Sequence, residues 1–393
     1  MTSQPHSPKG RIKNWVRFSI AAMGLAALTA CDPTLTTGGG GSLNKGDVVK
    51  VALLVPYGST SAGDETLARS LENAARLALV DLGTDRIEMT VYNTAGQTGN
   101  AAAAANQAAA DGAKIIVGPL RSDAANAAAV AVRDDKLNVL AFSNNASIAG
   151  GNMFILGNTF DNIAQRLLSY AGSQGRNRMV VVHPQTTVGQ IAQSSVARAA
   201  ARTNVSIVGT GSFEFSQEGI VGAIPGIAAT VKNSGANAIM LTSDSAGALP
   251  LLAQLLPEQG VSPSVVKYLG LTRWDIPNQT LTLPGVQGGW FALPDPTLSA
   301  RFSSRYQSTY GSAPHPLAGL AYDGMAAVGA LVAKNRDMSR ANLTQSAGFV
   351  GVNGVFRLRS DGTNQRSLAV AQAISGTVRI IDPAPKSFGR GGS

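Results

Sequence analysis

Cysteine is nearly absent: Cys31 stands alone among 393 residues. One thiol cannot close an internal disulfide, and no C-x-x-C pair is present for zinc or redox chemistry. Histidine is almost as scarce, with three residues in the whole chain. His183 and His315 lie far apart and lack the company of a metal site or a Ser-His-Asp triad. His183 ends an apolar run beside Pro184, which suits the rim of a cleft. Charged residues make up only 14% and aromatics 5%. No Lys/Arg cluster is interleaved with aromatics, so nucleic acid is excluded as a partner. No apolar run reaches the roughly 20 residues that span a bilayer. "SVVK" (Ser264–Lys267) lacks the later motifs of penicillin-binding enzymes, and "STSAG" and "SDSAG" each miss a nucleophile elbow by one glycine. "TGGGGS" follows no strand and precedes no G-K-[ST], so it is not a phosphate loop. No cofactor or metal is expected, and no catalytic residues; the chain does not read as an enzyme.

The surroundings of Cys31 are informative. Lys9, Arg11, Lys13 and Arg17 precede it with no acidic residue, followed by the uncharged run "FSIAAMGLAALTA", Phe18–Ala30. A basic segment, a short apolar run and small boundary residues form a secretory signal. The boundary "LTAC" resembles a bacterial lipobox. The resemblance implies cleavage before Cys31 and acylation of that residue, anchoring the protein to a membrane by lipid. Asp32, next in the chain, resembles the inner-membrane retention signal of enteric lipoproteins. Removing the leader takes the formal charge of +9 down by four, to +5. Residues 1–30 are thus expected to be signal and 31–47, with the run "TTGGGGS", a flexible lipidated linker.

From "VVKVALLVPYG" onward, short β-rich runs alternate with longer alanine-rich helical patterns. The first set expects helices over 65–82, 100–111 and 123–133 between the strands "VKVALLV", "IEMTVYN", "AKIIVGP" and "LNVLAFS". The second expects helices over 161–173, 189–202, 220–233 and 246–257 between "RMVVVHP", "VSIVGTGSF", "ANAIMLTSD", "SVVKYLGL" and "GVQGGWFALPDP". Helices over 297–310 and 316–334 follow, then β-strands. Strand–helix alternation of this kind predicts an α/β fold of two Rossmann-like lobes with parallel sheets. The N-terminal lobe is expected at 48–160, completed by about 293–350. The C-terminal lobe is expected at 161–292, completed by about 351–381, with 382–393 a flexible tail. Ligands of open parallel sheets bind beyond the strands' carboxyl ends, so two facing sheet edges define an inter-lobe cleft.

Over roughly residues 48–381 the chain resembles type I periplasmic solute-binding proteins, specifically the leucine/isoleucine/valine-binding family. "VKVALLVPYGSTSAGDETLARSLENAARLALVDL" is similar to that family's opening strand, polar cleft loop and first helix. "AKIIVGPLRSDAANAAAVAV", "NVLAFSNNASI", "AGLAYDGMAAVGALV" and "GVNGVFRLRSDGT" are similar to later parts. The resemblance implies a small-molecule ligand between the lobes, hinge closure, and delivery to an ABC transporter permease from the periplasm. It implies ligand contacts at Ser59 and Thr60, at Ser122 as carboxylate binder, and at Ser143, Asn144, Asn145 and Ala146. Ser122 alternatively reads as a helix N-cap. The family's second-lobe glutamate, which pairs with a ligand ammonium, is replaced by "TRWD", Thr272–Asp275. Asp275 or Asp244 could supply the anion and Thr272 a hydroxyl, while Arg273 opposes an ammonium. Trp274 and Trp290 read as cleft aromatics or as core. A second resemblance, over "LLPEQG…YLGLTRWD…GVQGGWFALPDP", is to lipoproteins that activate penicillin-binding proteins. It implies a peptidoglycan synthase as the alternative partner.

Overall fold

A computed structural model describes residues 41–388; Cys31, the signal segment and most of the linker lie outside them. The chain begins a five-stranded sheet with β1 (Val49–Val55), β2 (Ile87–Asn93), β3 (Ile115–Val117), β4 (Asn138–Ala141) and β5 (Met153–Ile155). Its order is β2-β1-β3-β4-β5 and every pairing is parallel. The connecting helices are α1 (Asp64–Leu82), α2 (Thr98–Ala110) and α3 (Ser122–Ala131). α2 and α3 pack on one face through alanines at helical spacing, Ala101, Ala105 and Ala108 against Ala124, Ala125 and Ala128. A methyl-only stripe lets two helices and a sheet approach closely, which explains why these helices need so few large side chains.

The second lobe starts with α4 (Phe160–Ser173) and runs β6 (Arg178–Pro184), α5 (Thr187–Ala200), β7 (Ser206–Phe213), α6 (Gln217–Asn233), β8 (Ala238–Leu241), α7 (Leu249–Glu258), β9 (Lys267–Gly270) and β10 (Trp290–Leu293). Side-chain hydroxyls start three of its helices. Thr159, Thr186 and Ser216 each accept from a backbone N–H three residues on, satisfying donors the helix itself leaves free.

The chain then returns to the first lobe. α8 (Pro296–Tyr310) and α9 (Gly319–Ala333) cover the face of the first sheet opposite α2 and α3, together with α1. α10 (Arg340–Leu343) leads to a small antiparallel sheet of β11 (Phe349–Gly351), β12 (Gly354–Leu358) and β13 (Asn364–Arg366). Finally β14 (Ala369–Ile374) and β15 (Thr377–Asp382) extend the second sheet to the order β15-β14-β10-β9-β8-β6-β7. Among the described residues no helix is long and apolar enough to cross a membrane.

Two expected boundaries differ. Residues 351–366 are expected in the C-terminal lobe, but Phe356 and Leu358 bury in the first-lobe core beside α9. Only β14 and β15 complete the second lobe. The stretch 382–388, expected as flexible tail, is tied down. Arg166 pairs with Asp382, Ala384 is buried against the second-lobe core, and the Ser367 hydroxyl donates to the Pro385 carbonyl. An ion pair, a buried alanine and a hydroxyl-to-carbonyl bond, each to a residue distant in sequence, hold this stretch, and hydrophobic periodicity reports none of them. The chain passes between the lobes at 156–159, 294–295 and 367–368, a triple connection suited to hinge bending.

Candidate functional site

Gly118, where β3 ends, has φ +94, and a Cβ there would stand 2.3 Å from the Leu54 carbonyl oxygen. Only glycine lets the chain turn this close to β1. The turn delivers Arg121 and Ser122 to the N-terminus of α3. The cap position is Arg121, and Ser122 caps nothing. Its Oγ lies instead 3.0 Å from Oγ of Ser143, the residue that follows Phe142 at the end of β4. Ser143 Oγ also accepts from the Asn145 N–H at 3.1 Å. Of the two serine protons one bridges the pair, so the other remains for a ligand oxygen at the positive end of a helix.

Asp64 organises the neighbouring rim. It is 7% exposed, at the start of α1. It accepts from Ser59 Oγ at 2.6 Å and from an Arg121 guanidinium nitrogen at 2.7 Å. Burial pushes its carboxyl up, but the hydrogen bonds from Ser59 and Arg121 and the guanidinium charge outweigh burial and hold it below the usual carboxylate value.

From the second lobe come the loops after β8 and β9. Arg273 forms a two-point pair with Asp275, Nε to Oδ1 at 2.9 Å and a terminal nitrogen to Oδ2. Thr272 Oγ1 donates to the Ser243 carbonyl at 3.2 Å, and Ser245 Oγ to the Ile276 carbonyl at 3.0 Å. The first-lobe loops and Arg273 enclose a cavity of about 440 Å³ between the lobes. Its polar lining is Arg121, Ser122, Ser143, Asn144, Asn158, Asn353 and Arg273, and no acidic side chain borders it. Its apolar wall includes Leu120, Phe142, Ile276, Leu317 and Leu320. The Asn158 amide oxygen is buried without a partner.

Of the expected contacts, Ser122, Ser143 and Asn144 meet in this cavity. Ser59 sits behind it on Asp64, and Thr60 is exposed nearby in the chain. Asn145 Oδ1 is taken by the N–H and hydroxyl of Ser147. Ala146 lines a separate cavity with Asp161, Arg198 and Arg359. Asp244 is exposed, Thr272 is turned to Ser243, and Asp275 is held by Arg273, so none of these three borders the main cavity. Trp274 is fully buried on Phe291, and Trp290 sits edge-on to Tyr170; both are core rather than cleft aromatics. His183 Nδ1 is engaged by the Pro184 carbonyl at 3.0 Å. Sequence reasoning missed Arg121, Asp64, Asn158 and Asn353. An acidic residue in the first turn of α1 was the available signal for Asp64.

The family described as periplasmic binding protein matches residues 48–377 of this chain. A curated relative, the uncharacterized protein RP748 of Rickettsia prowazekii, is 22% identical over 233 residues. That alignment covers 58% of this chain and 61% of the relative, so the match spans under two thirds of the relative's length. A putative branched-chain amino acid ABC transporter structure from Rhodospirillum rubrum superposes with a TM-score of 0.72 at 18% identity, over 85% of this chain and 100% of that one. A branched chain amino acid ABC transporter periplasmic ligand-binding protein from Burkholderia xenovorans gives 0.69 at 18% identity, over 86% and 96%. A solute binding protein from R. palustris in complex with benzoate gives 0.58 at 17% identity, over 87% and 97%. At these identities the likeness establishes the fold.

Proposed function

The chain belongs to the periplasmic binding protein family, and from that premise we propose that it captures a small carboxylate in its inter-lobe cavity and delivers it to an ABC-type permease. The observation that carries this reading is the Ser122–Ser143 hydroxyl pair at the α3 N-terminus, in a cavity bordered by two arginines and no acid. A carboxylate takes the spare serine proton at the α3 N-terminus, where the Ala124 N–H is already held by Asp123 Oδ1 at 2.9 Å. The benzoate of the R. palustris protein has the same chemistry, an acid without an ammonium. The apolar wall of Phe142, Leu317 and Leu320 accommodates a hydrocarbon body.

Calorimetry against a panel of organic acids, with small-angle scattering to detect lobe closure, tests the reading. Ser122→Ala should weaken binding about tenfold, because it removes one hydroxyl of the pair that meets the ligand, while the lost Ser143 hydrogen bond lowers stability by about 1 kcal/mol and leaves the fold intact. A cleft that stays open with every acid, or capture of a peptidoglycan synthase and no permease from envelope extract, overturns it. Lipidation at Cys31 would hold the protein beside its permease. Cys31→Ser should then move it from the membrane to the soluble periplasmic fraction, and unchanged membrane association refutes the anchor.

A further inference from the structure

We infer that Arg273, aimed by Asp275, is the specificity-determining contact of the second lobe, and that the ligand is a carboxylate carrying a second acceptor group at its far end, a dicarboxylate or oxo-carboxylate. This inference rests on the carboxylate reading above and adds what the opposite wall selects. Arg273 borders the cavity, whereas Asp275 does not. Asp275 is therefore behind the arginine, fixing one edge of its guanidinium with two hydrogen bonds. A guanidinium has five N–H donors, so three remain beyond that pair. Its side chain is 35% exposed, leaving those donors room to meet a ligand.

The loop that carries Arg273 is pinned on both sides. The adjoining Trp274 is 0% exposed and packs on Phe291 in the core. Thr272 bonds to the Ser243 carbonyl, and the Ile276 carbonyl to Ser245. An arginine held this way is pre-organised, so little side-chain freedom is lost when a ligand arrives. Across the cavity, Arg121 is tied to Asp64 by one hydrogen bond from a terminal nitrogen. Each guanidinium is balanced by its own aspartate, so the cavity discriminates by hydrogen-bond polarity rather than by net charge. Donors project from both walls. An acceptor is met at either end, while an ammonium set against Arg273 meets a like charge and has only asparagine amide oxygens such as that of Asn158 to turn to.

Calorimetry on the full chain with malonate through suberate, the monocarboxylates butyrate and benzoate, and leucine tests this. The best dicarboxylate should bind roughly tenfold or more tighter than either monocarboxylate. Arg273→Gln should cost the dicarboxylates far more affinity than the monocarboxylates, narrowing that difference. Arg273→Lys should restore little, because an ammonium point cannot reproduce the fork. A melting curve for each variant separates loss of fold from loss of selectivity. If leucine binds as tightly as the best dicarboxylate, or Arg273→Gln weakens mono- and dicarboxylates equally, the inference fails and the carboxylate reading survives. If no acid on the panel binds the wild type, both fall.

Discussion

Replacing Arg366 with methionine tests how the lobes are joined. Arg366 and Asp323 form a pair whose side chains are 1% and 0% exposed, linked at 2.8 Å. Asp323 also accepts from the Val352 N–H at 2.8 Å and the Asn353 side chain at 3.0 Å. Arg366 Nε donates to the Leu156 carbonyl at 2.6 Å, in the first lobe-to-lobe connection. The Asn353 carbonyl accepts from the Asp295 N–H in the second connection at 3.3 Å, and Arg366 itself opens the third. One buried pair therefore roots all three connections in the first lobe. Arg366→Met leaves a buried carboxylate without its cation, a loss that costs about 3–5 kcal/mol. The hydrogen bonds left on Asp323 place the expectation near the lower end, about 3 kcal/mol. Adding Asp323→Asn removes the stranded charge while keeping an oxygen for the Val352 N–H, so the double variant should recover part of the loss. Two lobes need not unfold together, and native-state hydrogen exchange in α9 and β11–β13 reads the affected lobe directly. A single variant within about 1 kcal/mol of wild type, or a double variant no more stable than the single, would refute the assignment of the cost to an unpaired charge.

Gly118→Ala should destabilise by about 2–5 kcal/mol, combining a left-handed backbone with a Cβ 2.3 Å from the Leu54 oxygen and 3.1 Å from the Phe142 ring. The urea midpoint measures it, and a change within about 0.5 kcal/mol contradicts the close approach. The Asp64–Arg121 pair predicts a pH dependence. The folded carboxyl is depressed, so its contribution is present above the unfolded value of about 3.9 and is lost as pH falls through the folded value. The stability advantage of wild type over Arg121→Ala should therefore be larger at about pH 6 than at about pH 2; equal differences at both would place the effect in packing.

Periodicity reports what a residue's own segment buries. That is why the strand–helix alternation was legible from "VKVALLV" to "ANAIMLTSD", and why α1 to α9 all fall within three residues of their expected limits. β5, Met153–Ile155, is not among the expected strands, although β3, equally three residues long, is. The small sheet β11–β13 was visible as strands, but nothing local says which core receives Phe356. That is decided by Asp323, far back in the chain, reaching the turn before β12. The site divides the same way. Ser122 and Ser143 follow strand ends, where the general rule for parallel sheets directs attention. Arg121 and Asp64 are joined across 57 positions, a pairing that no spacing rule supplies. Asp275 shows the reverse. Read alone it is a free anion for a ligand ammonium, yet two positions away Arg273 captures it. A carboxylate beside an arginine on one rigid loop is first a partner for that arginine. The cleft's polarity therefore follows from which member of the pair faces the cavity, a fact of geometry that composition leaves open.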